Sequence, residues 1–130
     1  MENTQIQWHP LFIEAMKIGL DKYCKESDFL TEHQLTSGPL HIDAVVILRD
    51  GKVIIEEGFA KNFRRHNILE YKSPKDYTSV RDFYKVGAYA LLYLHFSKEI
   101  INEKDVLITI FQSRYPQALM EHLANNKIYE

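Results

Sequence analysis

The chain has 130 residues, 45% of them hydrophobic and 12% aromatic, with a formal net charge of -2. That length suits one domain with a buried core, and the composition, with only five glycines, excludes a fibrous or disordered chain. The charge excludes a globally basic nucleic-acid binder, and no apolar run nears the roughly 20 residues of a membrane span.

The N-terminus, Met1-Glu2-Asn3-Thr4, lacks the basic and apolar segments of a secretory signal, and the single Cys24 fits a reducing, cytoplasmic setting. Residues 8 to 24 then carry a helical pattern, with Trp8, Leu11, Phe12, Ala15, Met16, Leu20 and Tyr23 on one apolar face. Glu14, Lys17 and Asp21 fall on the opposite face, where Glu14 reads as a solvated carboxylate. Residues 28 to 36 read as a strand with a mixed face, Ser37-Gly38-Pro39 as a turn, and residues 40 to 49 as a more apolar strand. Asp43 is the anomaly in the second strand. A hairpin looping through 36 to 39 sets Leu35 opposite Leu40 and Glu32 opposite Asp43, two carboxylates about 5 Å apart that a cation or a shared proton would reconcile.

Asp50-Gly51 signals a tight turn, after which residues 52 to 56 are expected to extend the sheet as a hairpin arm. Residues 57 to 65 have no clear period and read as a loop or short helical turn. Residues 66 to 72 form the next strand, closed by Ser73-Pro74. Side chains two apart on a strand share a face, so Glu70 and Lys72 stand side by side while Leu69 and Tyr71 point the other way. An amine and a carboxylate on a largely buried strand cost free energy unless they are paired or bind something.

Ser79-Val80-Arg81-Asp82 approximates a helix capping box, and Val80, Phe83, Tyr84, Gly87, Leu91 and Leu94 make an apolar stripe to about His95. Residues 105 to 112 are a nearly continuous apolar run, as in a buried parallel strand. Pro116 suits the first position of a last helix through Ala118, Leu119, His122 and Leu123. The chain stops at Lys127-Ile128-Tyr129-Glu130 where another strand could begin, the end expected of a chain cut short. The predicted order is α-β-β-β-α-β-α, an α/β domain in which an antiparallel hairpin feeds a partly parallel sheet. Between positions 61 and 85, seven cations (Lys61, Arg64, Arg65, Lys72, Lys75, Arg81, Lys85) face three anions (Glu70, Asp76, Asp82), a local +4. The scattered histidines show no metal-ligand spacing.

Asp43 followed by Glu70-x-Lys72, on consecutive strands between a leading and a crossover helix, resembles the PD-(D/E)XK nuclease superfamily. Within it, Phe63-Arg64-Arg65-His66-Asn67-Ile68-Leu69-Glu70-Tyr71-Lys72-Ser73-Pro74 is similar to the recombination-promoting nuclease or transposase-associated branch. The resemblance implies a restriction-endonuclease-like core, a mixed sheet flanked by helices. It also implies magnesium-dependent hydrolysis of DNA phosphodiesters, with Mn²⁺ as a substitute cation. Asp43 and Glu70 would hold the metal, with the Tyr71 carbonyl as a third oxygen. Many members add an acid from the first helix, here Glu14, but its place on the polar face favours Glu32, opposite Asp43, in departure from that arrangement. Lys72 would orient the attacking water and offset phosphate charge. Lys61, Arg64 and Arg65 would hold the nucleic-acid backbone. Lys85-Val86-Gly87-Ala88-Tyr89 has the spacing of a helix pair found in exonuclease-type members, with Lys85 in place of Gln, and makes Lys85 a candidate phosphate contact. The competing readings are an inactive nuclease-fold module that binds nucleic acid or a protein partner, and an oligomerising domain, such as a homodimer, using Tyr89, Tyr93 and Phe96.

Overall fold

The computed structural model describes residues 8–34, 41–49, 54–56 and 58–126. Among the described residues, three helices, α1 (Trp8–Gly19), α2 (Val80–Phe96) and α3 (Gln117–Asn126), accompany one four-stranded sheet. Its strands are β1 (Phe29–Gln34), β2 (His41–Ile47), β3 (His66–Tyr71) and β4 (Val106–Phe111), in the spatial order β1-β2-β3-β4. The β1/β2 and β2/β3 pairs are antiparallel and the β3/β4 pair is parallel. The expected α/β class and strand-helix-strand unit are present. Among the described residues no helix is long and apolar enough to cross a membrane.

The hairpin register agrees with the prediction. Thr31 pairs with Ala44 and His33 with Ile42, which sets Glu32 at the level of Asp43. Leu35 and Leu40 lie outside the described residues, as do Asp50-Gly51 and residues 52 and 53 of the expected hairpin arm. Residues 54–56 carry no strand, so that part of the expectation fails; Ile55 is instead buried in the core beneath α1. A 3-10 turn at Phe59–Asn62 then leads toward β3.

Each face of the sheet takes one helix. Phe12 and Leu20, from α1 and the turn after it, pack with Phe29, Ala44, Val46 and Leu69 on one side. Ala90 and Tyr93 of α2 pack with Val45, Ile47 and Ile68 on the other. Residues on both faces of β2 and β3 are therefore fully buried, which is why these strands read as apolar runs. β4 is parallel as expected but sits at the sheet edge and is only half-buried along its length, not the buried strand its composition suggests.

Two helical stripes differ from the periodicity reading. α1 ends at Gly19 rather than near residue 24, and Leu11 and Ala15 lie in solvent while Ile13 packs inward. In α2 the buried line is Val86, Ala90 and Tyr93, whereas Tyr84 and Leu91 are more than half exposed. Apolar side chains on both sides of a helix leave its phase ambiguous to periodicity alone. The start of α2 is as read: Ser79 Oγ accepts from Asp82 N at 3.0 Å, and Asp82 Oδ2 accepts from Ser79 N at 3.1 Å.

Asn67 is fully buried and ties the entry to β3 together. Its carbonyl oxygen accepts from Arg64 N at 2.7 Å, and its amide donates to Arg64 O and Val46 O at 2.6 and 3.1 Å. Asn67→Leu should lower unfolding free energy by about 3 kcal/mol, because it strands buried main-chain groups. Urea denaturation checks this, and a loss below about 1 kcal/mol would contradict the assigned role.

Candidate metal and phosphodiester site

The ladder between β2 and β3 ends at the Ala44–Leu69 pair. One step further the two strands are clasped by side chains. Tyr71 N donates to Asp43 Oδ2 at 2.8 Å, and Asp43 N donates to a Glu70 carboxylate oxygen at 3.3 Å. Each carboxylate thus takes a main-chain donor that the separating strands no longer pair. The two acids, 27 residues apart in sequence, are brought together where the sheet opens.

Burial first, and then the adjacent Asp43 carboxylate, push the Glu70 carboxyl up to about 7. Lys72 acts in the opposite direction on Glu70 but more weakly. The ammonium of Lys72 is itself 3.5 Å from Asp82 Oδ2, so its close partner is the helix-capping carboxylate and not Glu70. Burial pushes the Asp82 carboxyl up, but hydrogen bonds from Ser79 and the charge of Lys72 outweigh this and hold it below its usual value.

Around this pair lies a cleft of about 350 Å³, lined by Asp43, Glu70 and Lys72 together with His9, Lys85 and Tyr89. Lys85 and Tyr89 are one helical turn apart on α2, and the Lys85 ammonium lies 5.9 Å from the centre of the Tyr89 ring. Their predicted pairing places both in the cleft. His9, on the first turn of α1, brings Nε2 to 3.5 Å from Asp43 Oδ2 and sets its ring edge-on to Tyr71. Sequence reasoning missed His9 because no spacing ties it to another ligand. Asp82 was visible only as a capping residue.

The other predicted positions separate into two groups. Glu14 and Glu32 line a neighbouring cavity of about 280 Å³ that also touches His9 and Asp43. Glu14 is exposed, as expected of a solvated carboxylate, and borders this cavity beside Asp43. Glu32 adopts φ 47°, the left-handed region, within an otherwise extended strand. Among the described residues no three His, Cys, Asp or Glu side chains gather closely enough to hold an ion by themselves, so Glu32 does not complete a three-ligand cluster with Asp43 and Glu70.

Lys61, Arg64 and Arg65 form the second group, and none lines either cavity. Arg65 precedes β3, whose other end carries Glu70, a separation of about 15 Å along an extended chain. Arg64 donates through its guanidinium to Val106 O at 3.3 Å, at the start of β4. The strand therefore carries the acids away from these three cations. Among the described residues, Lys72 and Lys85 line the cleft with the two acids, and Lys17 lines the neighbouring cavity.

No protein-family model, curated protein or solved structure matches the chain.

Proposed function

We propose that the chain is a metal-dependent nuclease that hydrolyses DNA phosphodiesters at the Asp43–Glu70 pair. The observation that carries this reading is the clasp itself: two carboxylates at the fork of two central strands, in a cleft that also holds two lysines. The residues fit a hard divalent cation. Mg²⁺ uses one or two carboxylates and completes its shell with water and substrate oxygens, so two acids suffice. The Glu70 carboxyl is raised first by burial and then by the adjacent Asp43 carboxylate, and a bound cation would relieve the like-charge part.

Asp43 and Glu70 would hold the ion, with the Tyr71 carbonyl as a further oxygen donor. When bound, Mg²⁺ or Mn²⁺ would polarise the scissile phosphate and acidify a water. The protein's own part is positioning and charge. Tyr71 N fixes the Asp43 carboxylate, and Asp43 N fixes that of Glu70. Lys72, steered by Asp82, offsets charge that builds on the phosphate during attack. Lys85 anchors a neighbouring backbone phosphate, and association with a recombination process or mobile element would follow from the same family reading.

Purified protein incubated with plasmid and oligonucleotide DNA in Mg²⁺ or Mn²⁺ should cleave both, and Asp43→Ala should not. Cleavage no greater than that of the variant would refute the proposal. One observation favours a second reading, a nuclease-fold module that binds nucleic acid without cutting it: the ammonium of Lys72 is engaged by Asp82. Salt-dependent DNA binding with neither cation binding nor cleavage would select that reading.

A further inference from the structure

The two cavities at the site differ in chemistry, and they meet at His9 and Asp43. The larger carries Lys72 and Lys85 beside Asp43, Glu70 and Asp76, and with a cation on the Asp43–Glu70 pair it would suit phosphate. The smaller, of about 280 Å³ between α1 and β1, has Pro10 and Ile13 as apolar walls, Thr31 at its rim, and the carboxylates of Glu14 and Glu32. Three acids, Glu14, Glu32 and the shared Asp43, with only Lys17 to offset them disfavour a phosphate there, and Lys17 is itself paired with Glu26 at 2.6 Å. A neutral, flat group with hydrogen-bond donors on its edge meets none of that repulsion.

We infer that this cavity receives one unpaired nucleobase carrying an exocyclic amino group, next to the phosphate at Asp43. The inference rests on the nuclease reading for where the strand lies. Carboxylates accept hydrogen bonds from the N4 amino group of cytosine and, by the same chemistry, from the amino groups of the purines. Thymine presents an O4 acceptor at the corresponding position and keeps only its N3–H to donate, one donor where an amino group brings two. Pro10 and Ile13 supply surface for the faces of the ring. Glu32 is held at φ 47° on an edge strand, a conformation a non-glycine residue adopts at a cost, and lines the cavity from there. A base in this cavity has left its duplex partner, so the substrate segment is single-stranded or frayed.

Fluorescence anisotropy with single-stranded dC12 and dT12 in EDTA tests the pocket without cleavage. The intact chain should bind dC12 at least about fivefold more tightly than dT12. Glu32→Gln should bring the ratio below about twofold, because its amide donates as well as accepts. Thr31→Phe, a bulky residue suited to an exposed edge strand, should lower dC12 affinity to that for dT12 by filling the cavity. Melting curves like that of the parent establish that both variants fold. Equal binding of the two oligonucleotides by the parent, or a ratio unmoved in both folded variants, would overturn the pocket. Cleavage of the same oligonucleotides in Mg²⁺ reports separately on the nuclease reading: cleavage without base preference refutes the pocket alone, and base preference without cleavage refutes the nuclease alone.

Discussion

Glu70→Gln is expected to raise the melting temperature at pH 8 by about 4 °C without divalent cations, and to leave it nearly unchanged at pH 5. Glutamine keeps the acceptor that Asp43 N uses but carries no charge beside Asp43. Burial, then Asp43, lift the folded Glu70 carboxyl from 4.5 to about 7. The folded state therefore holds this proton more tightly than the unfolded chain. Stability contributed by the neutral form is fully present below pH 4.5 and is lost as pH rises through about 7. Glu70 retains partial contact with solvent, so the cost at pH 8 is discounted to about 1 kcal/mol. His33 and His66 titrate in the opposite sense. Burial lowers both, which makes the fold less stable as pH falls below 6.5. His66 also shares a 2.7 Å hydrogen bond with Tyr93 in the core. Comparing parent and variant at each pH cancels the histidine contribution and isolates Glu70. Saturating Mg²⁺ or Mn²⁺ should stabilise the parent at pH 8, by about 2.7 kcal/mol at a hundredfold excess over Kd, and the variant far less. A variant that is no more stable than its parent at pH 8 would contradict a Glu70 carboxyl raised by burial and by Asp43.

The second large effect concerns Lys72. Lys72→Met should reduce DNA cleavage by about 10²–10³-fold, the range seen when one group that stabilises developing charge is removed. It should preserve the cation-induced rise in melting temperature, because the acids remain in place. Asp82→Asn removes the charge that steers Lys72 but can still accept from Ser79 N, so its loss should be smaller, about tenfold or less. Single-turnover rates on one oligonucleotide separate these outcomes. Equal losses from Lys72→Met and Asp82→Asn would mean that the pair acts as a structural unit.

Much of this site could be read from residues alone. The hairpin length placed Glu32 at the level of Asp43, and period-two alternation placed Glu70 and Lys72 on one face. The Ser79–Asp82 box marked the start of α2 because its partners are local. What failed required distances or neighbours. The pairing of Lys72 with Asp82 crosses from a strand end to a helix cap, and no periodicity relates the two. His9 reaches Asp43 only because α1 lies against the sheet with its first turn at the fork. The stripe of α2 was misphased because Tyr84 and Leu91 are apolar yet exposed.

We propose that Asp43 and Glu70 together hold one divalent cation. A crystal of the intact chain soaked in Mn²⁺ and measured at the manganese edge tests it most directly. An anomalous peak bridging the Asp43 and Glu70 carboxylates is the predicted result. A well-ordered site with both carboxylates visible and no peak between them would contradict it.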